Sequence, residues 1–154
     1  MKKILYIFAV LVITSCTSTK STLKNVDETA VKPKVINKAF QFTEYANDMK
    51  YGYDSDYPIN IGLMLERQES IYIGYFFNGL VGPNNEPIEK YEKIDTCCPF
   101  PTTHNTMGAG TLGIYEVTFK NNPKKVTLHF NIYEKGKILC PKGFNIKPIT
   151  EIEK

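Results

Sequence analysis

Two runs of alternating apolar and polar residues stand out in the C-terminal half of the chain. In the first, Tyr115, Val117 and Phe119 alternate with Glu116, Thr118 and Lys120. In the second, Val126, Leu128, Phe130 and Ile132 alternate with Thr127, His129, Asn131 and Tyr133. A period of two puts successive side chains on opposite faces of a strand. Asn121-Asn122-Pro123-Lys124, between the runs, is a cluster of turn formers. The pattern predicts a β-hairpin with a four-residue loop, in which residue 120 pairs with 125, Phe119 faces Val126, Val117 faces Leu128 and Tyr115 faces Phe130. The other face would pair Thr118 with Thr127 and Glu116 with His129, polar groups suited to water.

Elsewhere the pattern is less regular. Phe40 and Phe42, separated by Gln41, predict a strand, and Tyr57 to Ile61 predicts a short one. Ile88 to Thr96 lies between the Gly82-Pro83-Asn84-Asn85 turn and Pro99, and its charges suit an extended edge segment. Arg67 to Leu80 has two readings: Ile71, Tyr72, Tyr75, Phe76 and Leu80 can form a helical face, whereas Ile71 to Phe77 could be a buried strand. Helix is preferred, because Glu66 and Glu69 place negative charge near its start and Gly79 and Gly82 follow its end. The fold class predicted is α+β, a small antiparallel sheet whose apolar face is covered by one helix and aromatic loops. The ten tyrosines of the chain suit half-buried positions with a wet hydroxyl.

The N-terminal pattern is of another kind. Lys2 and Lys3 precede an almost unbroken apolar run from Ile4 to Ile13, the charge and apolar order of a secretory signal. The run is shorter than the roughly 20 residues a membrane-spanning helix needs. Ile13-Thr14-Ser15-Cys16 resembles the bacterial lipobox, which implies cleavage before Cys16 and lipidation of that cysteine, with acyl chains that include palmitate. Several buried chains, at about 0.8 kcal/mol per methylene, would make such an anchor effectively permanent. Thr17 to Lys38 is rich in Ser, Thr, Lys and Val, lacks aromatic residues and contains Pro33. It therefore reads as a flexible tether reaching on the order of 25 Å, with an edge strand over Val31 to Ile36 as the alternative. The expected organisation is a signal peptide over 1–15, a lipidated tether over 16–38 and a single α+β domain over 39–154.

Charge narrows the function classes. The chain has 154 residues, 19 basic and 16 acidic side chains; removing residues 1–15 leaves 139 residues, with 17 basic side chains against 16 acidic. A near-neutral domain without a lysine cluster is not expected to bind nucleic acid.

Cys97, Cys98 and Cys140 remain beside Cys16, an odd number for an oxidising compartment. A bond between adjacent cysteines strains the intervening peptide, so Cys140 is expected to pair with either Cys97 or Cys98, leaving one free thiol. The Cys-x-x-Cys spacing of a thioredoxin-like site is absent. A metal site built from Cys97, Cys98 and His104 is disfavoured because adjacent cysteines ligate one tetrahedral ion poorly. No metal or other cofactor is therefore expected. His104 reads as a loop histidine and His129 as a partner for Glu116.

Gly82-Pro83-Asn84-Asn85-Glu86, Cys97-Cys98-Pro99-Phe100, Gly113-Ile114-Tyr115-Glu116-Val117-Thr118 and Pro141-Lys142-Gly143-Phe144 resemble a family of small envelope proteins from Bacteroidota. The resemblance runs over roughly Tyr51 to Phe144. Some members carry an automatically assigned name, 2-dehydro-3-deoxyphosphooctonate aldolase. That activity does not suit this chain: such aldolases resemble (β/α)₈ barrels, which need about 250 residues, and their phosphorylated substrates are cytoplasmic. A glycine-rich phosphate loop is also missing. The resemblance brings no catalytic residues with it.

Function is thus expected to be that of an envelope lipoprotein on the periplasmic face of the outer membrane. It would bind a protein, peptide or glycan, or support an assembly, without catalysis. The alternative is an envelope enzyme using Cys97 or Cys98 with His104 or His129 and an acid such as Asp95 or Glu116.

Overall fold

A computed structural model describes residues 20–63 and 66–152 of the chain. The expected signal peptide, the segment resembling a lipobox and Cys16 lie outside the described residues. The elements in order are β1 (Val35–Ile36), β2 (Ala39–Phe40), β3 (Ile59–Asn60), α1 (Glu66–Asn78), β4 (Leu80–Val81), β5 (Ile88–Pro101), β6 (Ala109–Phe119), β7 (Asn122–Asn131), β8 (Asn145–Ile146) and α2 (Ile149–Ile152). The main sheet runs in the order β3-β7-β6-β5. Its long strands are antiparallel, and the short β3 lies parallel to β7. The α+β class and the covering helix agree with the reading of the sequence, and β5 occupies the sheet edge suggested by its charges.

The hairpin of β6 and β7 forms, with a register two residues from the one expected. Val117 faces Val126, Tyr115 faces Leu128 and Gly113 faces Phe130. The turn is shorter than the Asn-Asn-Pro-Lys cluster suggested, because Asn121 takes a left-handed conformation with φ of 59°, which asparagine tolerates better than most side chains. The pairing then shifts between Thr118 and Phe119. A slip of two residues keeps each side chain on its own face, so the apolar face survives the correction. The polar partners change: Glu116 faces Thr127, and His129 faces Ile114.

That apolar face carries α1. Ile73, Phe76 and Phe77 are buried on the helix, and Phe76 meets Phe130 edge to face with ring centroids 5.0 Å apart. Phe77 contacts Phe130, Tyr115 and Tyr91, while Phe42 reaches Phe76 from the other side. Full burial of each such ring contributes about 1.5–3 kcal/mol. The helix ends where it must pass β2 closely: a Cβ on Gly79 would lie 2.3 Å from the Phe40 carbonyl oxygen, so only glycine fits.

The opposite face of the sheet has a smaller apolar cluster of Leu23, Phe100 and Leu112, with Val26, Cys97, Cys98 and Tyr133 packed against it. Leu23 and Val26 belong to the segment expected to be a tether. From residue 20 to 38 that segment is instead laid along the domain. The Lys24 amide donates to the Asp56 carbonyl at 2.9 Å and the Asp27 amide to the Lys135 carbonyl at 2.8 Å. The Asn60 side chain donates to the Asn25 carbonyl at 3.0 Å. β1 pairs with β2, so the Val31 to Ile36 alternative holds for Val35 and Ile36. The segment lacks the aromatic residues of a core, yet one buried leucine and a series of backbone and amide hydrogen bonds suffice to fix it.

Candidate functional site

The cysteines are arranged differently from expectation. Cys97 and Cys98 are bonded to each other, and Cys140 is free and buried. The reason is their placement: Cys140 belongs to the main core, whereas Cys97 and Cys98 pack in the small cluster on the other face. Cys98 adopts a positive φ of 57°, and the β5 register shifts between Cys97 and Phe100, so the pair sits in an edge bulge. Sulfur contacts hold the Cys140 thiol near the Phe144 carbonyl, and burial pushes its pKa up to about 12. It is a packing group rather than a nucleophile.

Of the two histidines, His129 is the neighbour of the cysteine pair, with its ring nitrogen and both sulfurs within 4.8 Å of one another. The Cys–His–acid set imagined from the sequence is only partly assembled. Asp95 accepts from the Thr96 amide at 2.7 Å and is exposed. Glu116 is paired with Lys125 at 2.7 Å. His104 is placed elsewhere, 3.2 Å from the buried Glu134 carboxylate.

Around His104 the structure forms an open cleft of about 660 Å³, between the start of α1, the loop joining β5 to β6, and the end of β7. Glu66, Gln68, His104, Asn105 and Thr106 give it a polar lining, with Leu63, Ile132 and Tyr133 as its apolar part. A smaller recess of about 210 Å³ adjoins it, sharing Glu66, Ile132 and Tyr133, and extends to Glu69, Lys93, Thr96 and Thr111. The loop is held in shape by its own hydrogen bonds, from the His104 amide to the Thr102 hydroxyl at 3.1 Å and from the Thr102 amide to the Gly108 carbonyl at 3.1 Å. Thr102 is fully buried, so this anchor is shielded from water.

At the inner end of the recess Glu69 accepts hydrogen bonds from Lys93 at 2.9 Å and from the Tyr115 hydroxyl at 3.0 Å. Burial, reinforced by the Glu69 charge, moves the Tyr115 phenol well above its ordinary range, so Tyr115 stays a neutral donor. The sequence reading missed this trio and also Glu134. Glu69 had a legible signal: it lies four residues before Ile73 and seven before Phe76, an acid on the buried stripe of the helix. Glu134 had none, since it follows β7 in an irregular turn. A second groove, about 560 Å³, runs between the N-terminal segment and residues 137–139.

No family model, curated protein or solved structure gives a significant match to this chain. No helix among the described residues is long and apolar enough to cross a membrane.

Proposed function

We propose that this protein is an envelope lipoprotein, anchored through Cys16, that binds a hydrophilic ligand without chemically changing it. The observation that carries the reading is the cleft beside His104, where carboxylate, amide and hydroxyl side chains surround Tyr133 and Ile132. That combination suits a short glycan of the envelope: sugar hydroxyls pair with planar acids and amides, and the apolar face of a sugar ring lies against an aromatic one. Thr17, Ser18 and Thr19 follow Cys16 without an acidic run, which supports placing the anchor on the periplasmic face of the outer membrane, and the resemblance to small Bacteroidota envelope proteins suits an envelope location.

Two measurements test it. Titration of soluble glycan fragments from the envelope into isotopically labelled protein should shift NMR signals of residues 66–69, 104–106 and 132–133. Saturable shifts confined to some other surface, or none, would defeat the binding assignment. Intact-mass analysis of protein from its native membrane should show loss of residues 1–15 and an acyl mass on Cys16, and an unmodified Cys16 would remove the anchor.

One observation favours the enzymatic alternative, the closeness of His129 to Cys97 and Cys98. After reduction by a cellular dithiol, His129 could stabilise a thiolate there. A folded Cys97→Ala, Cys98→Ala double variant with unchanged phenotype would eliminate that alternative.

A further inference from the structure

We propose that Glu28, His104 and Glu134 form a binding site for a divalent first-row transition-metal ion, with Zn²⁺ the best match. The proposal goes beyond the ligand-binding reading and does not depend on it. The three side chains come from parts of the chain remote in sequence, and one ligand atom of each lies within 4.8 Å of the other two. Two ligands of a tetrahedral zinc ion, each about 2.0–2.1 Å from the metal, sit roughly 3.3 Å apart. Small side-chain rotations would therefore close the set.

The backbone brings these residues together before any ion is considered. The Asp27 amide bonds to the Lys135 carbonyl at 2.8 Å, which fixes the turn carrying Glu28 next to the residue that follows Glu134. The same turn is closed by the Asp27 carboxylate, which accepts from the Thr29 amide and hydroxyl at 2.9 and 2.6 Å. On the other side His104 Nδ1 already stands 3.2 Å from Glu134 Oε2.

Electrostatics then asks for a cation. Glu134 is only 3 % exposed, and a second carboxylate, Glu28, approaches it across a few ångströms. Among the described residues no lysine or arginine forms an ion pair with either glutamate. Two carboxylates brought this close repel each other, and a dication held between them and the imidazole is attracted by both. A dication removes that repulsion.

The donor set selects the kind of ion. One imidazole and two carboxylates suit zinc-like metals, whereas Mg²⁺ and Ca²⁺ favour sites made of oxygen alone. Three protein ligands leave a coordination position for water or for an oxygen of a bound molecule. Because His104 also lines the cleft, the ion would border it. It would also fasten the N-terminal segment to the β5–β6 loop.

The test is calorimetric titration of ZnCl₂ into the whole chain, stripped with chelator, dialysed and kept oxidised, together with thermal melts. One equivalent should bind and raise Tm. Glu28→Gln and His104→Gln should each weaken binding at least about tenfold, as should Glu134→Gln. Glu28 is exposed, so its variant tests the site without disturbing the core should Glu134→Gln fail to fold. His129→Gln should bind as the unaltered chain does, which separates this site from the cysteine cluster. The proposal is overturned by a lack of saturable binding at one equivalent, by full affinity in Glu28→Gln and His104→Gln, or by loss of binding in His129→Gln. An equal rise in Tm with MgCl₂ would overturn the assignment to a transition metal.

Discussion

The two faces of the main sheet are stabilised in different ways. On one, α1 lays Phe76 and Phe77 against Phe130 and Tyr115, and further rings extend the contact in both directions. The other face buries little more than Leu23, Phe100 and Leu112, and is completed by an N-terminal segment held by hydrogen bonds. It is this thinner face, with the loop beside it, that gathers the cysteine pair, both histidines and Glu134. A well-filled aromatic layer leaves little room for polar groups, because each would need a partner. A face assembled from distant segments can hold such groups at the seams between them.

The largest effect is expected from the filled side. Phe76→Ala should cost about 3–5 kcal/mol in urea unfolding, the range for emptying a buried aromatic site. Leu23→Ala on the thin side should cost about 2 kcal/mol, at the low end for a buried leucine. A flexible tether would give no change at that position, so an unaltered urea midpoint would restore the tether and break the comparison.

Smaller still is the cysteine pair. A disulfide between neighbours closes almost no chain, so the Cys97→Ser, Cys98→Ser double variant should lose only about 1 kcal/mol. In the unaltered protein Cys140 should resist alkylating reagents until the chain is unfolded, while Cys97 and Cys98 should need reduction as well. Mass spectrometry of labelled peptides distinguishes these cases, and rapid native labelling at Cys140 would contradict its burial.

The smallest effect concerns pH and lies away from both faces. Glu86 accepts hydrogen bonds from the Asn84 amide and side chain and from the Asn122 side chain, which join the β4–β5 turn to the hairpin turn. Hydrogen bonds from its own amide and from Asn84 and Asn122 lower its pKa from 4.5 to about 2. A depressed folded pKa means the contribution is complete above pH 4.5 and is lost as pH falls from there towards about 2. An NMR titration should find the Glu86 midpoint near 2, and a midpoint near 4.5 would show that these bonds do not persist in solution.

Legibility followed the same division. The two faces of the hairpin could be read because periodicity reports local geometry, whereas periodicity left α1 open between helix and strand and the acids at its start and glycines after its end favoured helix. The hairpin register could not, since it turned on whether Asn121 would accept a left-handed backbone, and a slip of two residues leaves the hydrophobic pattern unchanged. The disulfide was misassigned for a similar reason: spacing along the chain does not reveal that Cys140 points into one core and Cys97 into another. Glu69 was readable as an acid on an apolar stripe, whereas Glu134 and Glu28 were not, because neither lies in a periodic segment.

The sequence by itself determined the α+β class and the sheet faces, favoured the helix over a strand through the residues at its ends, and raised the expectation of a lipid-modified N-terminus through a short motif. Those properties depend on neighbours a few positions away. Tertiary structure alone decided that residues 20–38 are part of the folded unit, that Cys97 bonds to Cys98, and that Glu28, His104 and Glu134 meet. Contacts between segments tens of residues apart are set by how whole layers pack, and no local pattern encodes that packing.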